Sequence, residues 1–218
     1  MPEGTYGELT LDDFTARLAS AEPVPGGGSA SAVAGAIAAS LVAMVAGLST
    51  GRAKYELYQS TIERALEAGQ RSRARMLSLA DQDAAAYAAF SAAMKLPRGT
   101  ESDDAARQGA MRTAARGASE VPMDVVREAN ALMAEVESLA GRSNLNAASD
   151  LNVAALLIEA AARGAAANVM INLPMVDDPG LAGGMTAELE GYLRDISDAS
   201  ARVRERVASG ELVDPESE

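Results

Sequence analysis

Cysteine is absent from this 218-residue chain, as are histidine and tryptophan. Without cysteine there are no disulfides and no thiolate chemistry, and a cytoplasmic compartment is expected. Without histidine the chain lacks the commonest metal ligand and the side chain that ordinarily moves protons near neutral pH. No metal site is therefore expected, and any acid–base step falls to carboxylates, lysine, tyrosine or water. Aromatic residues are scarce, with five tyrosines and two phenylalanines. The remaining apolar residues make an alanine-rich core. Small side chains exclude water only where backbones approach closely, and alanine favours helix, so helix packed on helix is expected. Acidic residues outnumber basic ones by 31 to 19, giving a formal net charge of −12. That balance argues against nucleic acid or an anionic membrane as a partner.

Charge is missing altogether from Pro23 to Thr50, PVPGGGSASAVAGAIAASLVAMVAGLST. Gly26, Gly27 and Gly28 supply a turn in which backbone can approach another group closely. Ser29 or Ser31 is placed to cap the helix that follows. Val33, Ile37, Leu41, Met44, Val45 and Leu48 recur at helical spacing as one stripe of large residues, while glycine, alanine and serine fill the other faces. A helix apolar on all sides is a central buried helix or a membrane span. Dilution by small residues and the lack of aromatic or basic flanks favour burial. A signal peptide is disfavoured because acidic residues, not basic ones, precede the run.

No segment alternates β-branched residues with period two, so no strand is predicted. The chain reads as one all-α domain spanning residues 1–218, a compact bundle of about seven helices around Ala/Gly-rich central helices. Residues 1–7 and 211–218 are expected to be loose. A short helix begins at Thr10 with Leu11, Phe14 and Leu18 on one face, and the neutral helix runs to about Leu48. Helix-compatible sequence continues from Tyr55 to Met94, and KLPRGTES (95–102) reads as a loop. One helix is predicted from Ser102 to Glu120, and another from Pro122, as its first residue, to Ala140. The second Ala-rich helix starts near Ser149 and stops at Pro174. Val176 to Gly184 reads as a loop, and Thr186 to Ser209 as the last helix.

One carboxylate stands out by its position. Met76, Ala80, Asp83, Tyr87, Phe90 and Met94 step by three and four, so Asp83 interrupts an apolar stripe. An unpaired carboxylate there has a raised pKa, useful for acid–base work. The alternative is a structural contact to a helix terminus or an arginine. Asp81 faces elsewhere and is expected to be hydrated. Asn168 and Asn172, four residues apart, share a face; they either satisfy neighbouring polar groups or orient a ligand, the former being the simpler reading. Asn144 reads by default as a turn residue and Asp150 as helix-start chemistry. Arg52, Lys54 and Lys95 can anchor an anion or merely offset the acidic surface. The triple glycine lacks the lysine-bearing phosphate-loop pattern.

Taken together, the segments PVPGGGSASA, GRAKY, LADQDAAAY, AMKLPRGT, SEVP, NLNAASDLNVAALL and NVMINL resemble the folate cyclodeaminase/cyclohydrolase family in order and spacing, over roughly residues 8 to 205. That family includes the cyclodeaminase half of formiminotransferase-cyclodeaminase and free-standing methenyltetrahydrofolate cyclohydrolases. The resemblance implies an all-α fold, a homodimer or dimer of dimers, and action on the one-carbon unit of tetrahydrofolate, with no tightly bound cofactor. It also implies that the second Asp of LADQDAAAY, Asp83, is the catalytic carboxylate. Ser143 stands where the family often places glycine. The folate tail carries carboxylates, for which Arg52, Lys54 and Lys95 are candidate anchors; Gly26, Gly27, Gly28, Ser29, Tyr87, Asn144, Asp150, Asn168 and Asn172 complete the candidate substrate-binding set. Cyclohydrolase is favoured over cyclodeaminase because the domain stands alone. A non-catalytic helical assembly module is the alternative of another class.

Overall fold

Alanine, glycine and serine decide how this chain packs. In the computed structural model, residues 4–214 are described, and among them are six α-helices, four short 3₁₀ turns and no strand. Helix α1 is Leu11–Leu18, α2 Gly27–Ser49, α3 Gln59–Met94, α4 Glu101–Leu139, α5 Ala148–Asn172 and α6 Pro179–Ser209. α2 packs mainly against α3 and α5, α4 closes over α3 and α5, and α6 lies on α4 and α5.

The face of α2 that is buried is the small one. Gly28, Ala32, Gly35, Ala36, Ala38, Ala39, Val42 and Ala46 are inside. Of the stripe of large residues only Val45 is buried; Ile37, Met44 and Leu48 are exposed. Close backbone contact explains the inversion. A Cβ at Gly69 of α3 would lie 2.8 Å from the Ala43 backbone nitrogen and 2.9 Å from the Ala39 carbonyl of α2. A helix pair that close gains dispersion contacts along its whole length, which larger side chains would prevent. α2 and the 145–175 stretch are each long and apolar enough to cross a bilayer, and about half of each is buried within the bundle.

Three boundaries differ from expectation. Residues 101–139 form one helix of 39 residues with Pro122 inside it, not two helices. An internal proline removes the N–H that bonds the carbonyl four residues earlier, here Ala118. That carbonyl is taken by Asn172, whose Nδ2 donates to it at 2.8 Å. α4 is started by Thr100, which accepts from the Asp103 N–H, and not by Ser102. α6 begins at Pro179, capped by Asp178, inside the expected loop. The Thr10 cap of α1 matches the reading, but of its apolar face only Phe14 is buried.

The terminal segments are tied down where they are described. The Tyr6 N–H donates to Asp81 at 2.8 Å, and the Tyr6 ring packs edge-on against Phe14. Asp81 is thus a tether for the N-terminal segment, not a merely hydrated group. At the other end Val213 is buried, its N–H donates to the Gly141 carbonyl, and its own carbonyl accepts from the Tyr58 hydroxyl. Residues 1–3 and 215–218, also expected to be loose, lie outside the described residues.

Candidate active site

α2 begins with Gly26 at its N-cap, a residue with no side chain to receive the free N–H groups of the first turn. Ser29 and Ser31 do not cap it. Ser31 bonds back to the Gly27 carbonyl. The acceptor comes instead from α3. Asp83 lies against the start of α2, where it accepts from the Ser29 hydroxyl at 2.8 Å and from the Ser29 backbone N–H. It fits only because position 28 is glycine: a Cβ there would lie 2.1 Å from Asp83 Oδ1 and 2.6 Å from its Cγ.

Two effects oppose each other at this carboxyl. Burial, the larger, raises the Asp83 pKa; the hydrogen bonds from Ser29 lower it, and the net direction is upward. The Ser29 hydroxyl has a second acceptor, the Ala80 carbonyl at 3.1 Å. A hydroxyl has one proton and two lone pairs. When Asp83 is ionised, Ser29 donates to it. When Asp83 is protonated, the Ser29 hydroxyl can donate to the Ala80 carbonyl instead and accept a hydrogen bond from the carboxyl O–H. Both protonation states therefore keep satisfied partners, which suits a group that takes up and returns a proton. Burial also raises the pKa of the Tyr6 phenol, with Asp81 and then Asp83 adding to the shift, so Tyr6 belongs to the same electrostatic neighbourhood.

Asp83 opens onto a cavity of about 370 Å³ between the start of α2, the second half of α3 and the end of α5. This lies near the lower end of the roughly 300–1,000 Å³ usual for small-molecule sites. Gly26, Gly27, Gly28, Asp83, Tyr87, Asn168 and Asn172 line it, and Ser29 touches Asp83 from behind. The predicted stripe on α3 divides: Met76 and Ala80 are core, whereas Tyr87 and Phe90 form a cavity wall. Val24, Ala86, Ala118, Ile171 and Met175, with Pro23, complete the lining, and the first five carried no signal in the sequence beyond being apolar. The two asparagines have structural partners as well: Asn168 Nδ2 donates to the Gly164 carbonyl at 2.9 Å, and Asn172 serves Ala118.

The other candidates lie elsewhere. The Asn144 N–H donates to Ser49 Oγ at the far end of α2, and the Asn144 side chain accepts from the Asn146 N–H. Asp150 occupies the first turn of α5 beside it. Arg52 and Lys54 follow that same end of α2, about 35 Å from Gly27 at 1.5 Å per residue. Lys95 caps the C-terminus of α3, twelve residues beyond Asp83, and lines no part of this cavity. None of these five reaches Asp83 within one chain. A larger depression of about 650 Å³ between the ends of α4 and α6 is lined by paired charges such as Arg202 with Glu137, and no residue singled out in the sequence lines it. Among the described residues no cluster of three or more metal-ligating side chains occurs.

The family model for formiminotransferase-cyclodeaminase matches residues 10–191. The chain belongs to this family. It is 35% identical over 203 residues, 93% of this chain and 98% of the relative, to a methenyltetrahydrofolate cyclohydrolase from Methylorubrum extorquens. It is 32% identical over 206 residues to formimidoyltransferase-cyclodeaminase of Sus scrofa, of which it spans 38%. The crystal structure of a formiminotetrahydrofolate cyclodeaminase from Thermotoga maritima superposes with a TM-score of 0.85 at 33% identity, covering 93% of this chain and 98% of that one. A formiminotransferase-cyclodeaminase family member built this way has the all-α fold that the sequence led us to expect.

Proposed function

We propose that this protein is a folate one-carbon enzyme, a 5,10-methenyltetrahydrofolate cyclohydrolase, with Asp83 as its catalytic base. The observation that carries the reading is the placement of Asp83: a half-buried carboxyl of raised pKa, held by Ser29 at a helix N-terminus and facing a mainly apolar cavity. The near-full-length similarity to a cyclohydrolase supports the choice of reaction.

The methenyl carbon bridges N5 and N10 of the folate and shares a positive charge with them. Water adds to that carbon through its oxygen, and Asp83 takes the water's proton. The ionised carboxylate stabilises the bound cation electrostatically before this step. The carbon–N5 bond then breaks, N5 ends protonated, and the product is 10-formyltetrahydrofolate with one proton released overall. Ser29 holds Asp83 in place and follows its protonation as described above. The cavity, walled by Tyr87 and Phe90, has a volume that suits the fused ring and the reacting carbon.

A second reading is favoured by the superposition on a cyclodeaminase. There N10 attacks the formimino carbon of 5-formiminotetrahydrofolate. The formimino group enters protonated, as –CH=NH2+; Asp83 accepts the N10 proton and passes it to the resulting amine, and ammonia leaves to give the methenyl cation. Relatives of both names match over 98% of their length, so a free-standing domain does not separate the two. Purified protein is tested in two assays: loss of methenyltetrahydrofolate absorbance above the spontaneous rate, and ammonia release from 5-formiminotetrahydrofolate. Turnover in the first assay alone is the expected result. Turnover in the second alone assigns the cyclodeaminase, and turnover in neither refutes the enzyme reading. A cytoplasmic location and the absence of a tightly bound cofactor belong to this reading.

A further inference from the structure

Residues 5–24 run outside the main bundle as a strap. Its first turn, Tyr6–Glu8, lies on α3: the Tyr6 N–H donates to Asp81 at 2.8 Å, and Gly7 sits against Leu77. α1 follows, and an irregular leg, residues 19–24, then leads to the start of α2. The leg ends at the site, where Pro23 and Val24 form part of the cavity wall.

Little holds the strap between these two ends. Among the described residues, every hydrogen bond made by residues 9–24 closes within residues 6–24. Phe14 alone is buried in that span; Leu11 is 72% exposed and Leu18 37%. A helix of eight residues does not persist in water by itself, so α1 depends on its Thr10 cap and on Phe14 against Tyr6. Segments with so few buried contacts open while the rest of a protein stays folded. The other walls of the cavity are unlike this one. Apart from the N-cap Gly26, their residues belong to α2, α3, α4, α5 or the 3₁₀ turn after α5. Close packing fixes these helices, with Gly69 against Ala39 and Ala43 and with Gly164 against Ser31. At about 370 Å³ the cavity is small for a ligand-binding site, so passage of a multi-ring ligand calls for a wall that moves.

We infer that residues 5–24 are a flap on the Asp83 cavity, latched to α3 by Tyr6 on Asp81, which swings open to let ligand in and out. Pro25 is buried and marks the fixed end, so the Pro23–Val24 leg moves when the latch lets go. Hinged segments of this kind gate access in many enzymes. The latch stands two residues from the carboxyl it guards, and the Asp83 charge acts on the Tyr6 phenol when the flap is shut. The flap rests on the folate reading above only for the identity of the ligand that passes.

An engineered disulfide tests it. The chain has no cysteine, and a Cβ at Gly7 would lie 3.8 Å from the Leu77 Cβ, the usual separation across a disulfide. Gly7→Cys/Leu77→Cys therefore holds the latch shut when oxidised and frees it when reduced. In wild type and in the reduced variant, α1 amides are expected to exchange at least about 100-fold faster than those inside α2, and oxidation to slow them at least about 10-fold. Amides of α1 as protected as those of α2, or indifferent to oxidation, would overturn the flap. Access is read without substrate from Ala86→Cys, a thiol on the cavity wall, labelled by N-ethylmaleimide. Adding Asp81→Ala, which removes the latch acceptor, is expected to speed labelling at least about 10-fold, and Asp81→Asn, which keeps an acceptor, to leave it unchanged. Equal rates in all three proteins would overturn the gating. With methenyltetrahydrofolate, the oxidised disulfide variant is expected to lose at least about 10-fold in kcat/KM and to recover on reduction; full turnover while oxidised would contradict the proposal. If wild type turns over neither folate, the folate reading falls, and exchange and labelling still decide the flap.

Discussion

Asp83 occupies the space that a side chain at Gly28 would fill: a Cβ at position 28 would stand 2.1 Å from its Oδ1. The two residues come from different helices, 55 positions apart, and together they set both the start of α2 and the placing of the carboxyl. The neighbouring glycine has no such duty. A Cβ at Gly27 would meet nothing nearer than Asn168 Nδ2 at 3.7 Å, an ordinary contact. Gly28→Ala is expected to displace Asp83, lowering kcat/KM by about 100-fold and stability by about 1–3 kcal/mol. Gly27→Ala is expected to stay within a few-fold of wild type. Steady-state kinetics and thermal melts of the pair check this, and equal behaviour of the two variants would refute it.

Ser29 tunes the carboxyl proposed as the base. Its hydrogen bonds are what lower a carboxyl pKa that burial otherwise raises. A base works when ionised, so kcat/KM climbs with pH through the Asp83 pKa. Ser29→Ala removes the hydroxyl donor and raises that pKa further, moving the ascending limb to higher pH. A pH–rate profile of wild type and variant reads the shift; an unmoved limb, or one displaced to lower pH, would contradict the role given to Ser29.

Asp83 should also cost stability when ionised. Its folded pKa lies above the unfolded value, so its favourable contribution is fully present below the unfolded pKa and is lost as pH rises through the folded pKa. Asparagine cannot ionise. Asp83→Asn is therefore expected to melt higher than wild type at neutral pH, with the gain vanishing in acid. Melting curves between pH 4 and 8 would reveal a gain independent of pH if this linkage were wrong.

Pro122 and Asn172 form a compensating pair. The proline leaves the Ala118 carbonyl without its helical donor, and the Asn172 amide supplies one from α5. Asn172→Ala is expected to cost about 1 kcal/mol or more, as for a half-buried carbonyl left unpaired. In a Pro122→Ala background the helix provides its own N–H, and the same change is expected to cost less. Additive losses in the double-mutant cycle would show that the two are not coupled.

How much of this was legible in the chain follows from where the information lies. Helical period is local, and it put Asp83, Tyr87 and Phe90 on one face, which is where the cavity lies. The glycine run at 26–28 likewise marked a close approach. What period cannot supply is which face wins. On α2 the large residues promised burial, yet the Ala/Gly/Ser faces were buried because they allow α3 and α5 to come closer. Two separate helices were expected around Pro122 because a proline is a local breaker, and the compensating Asn172 lies 50 residues away. Tyr6 looked like part of a loose terminus because its partners, Asp81 and Phe14, lie on two other segments. Arg52, Lys54, Asn144 and Asp150 share sequence motifs with the site but stand at the opposite end of α2, a separation that linear spacing does not reveal.

The central claim is that the Asp83 carboxylate performs the proton transfer. Single-turnover hydrolysis of methenyltetrahydrofolate by Asp83→Asn, at protein concentrations where ligand binding is verified by a rise in melting temperature, tests it most directly. The expected result is a loss of about 10²- to 10⁴-fold in rate with folate binding retained. Wild-type turnover by Asp83→Asn would contradict it.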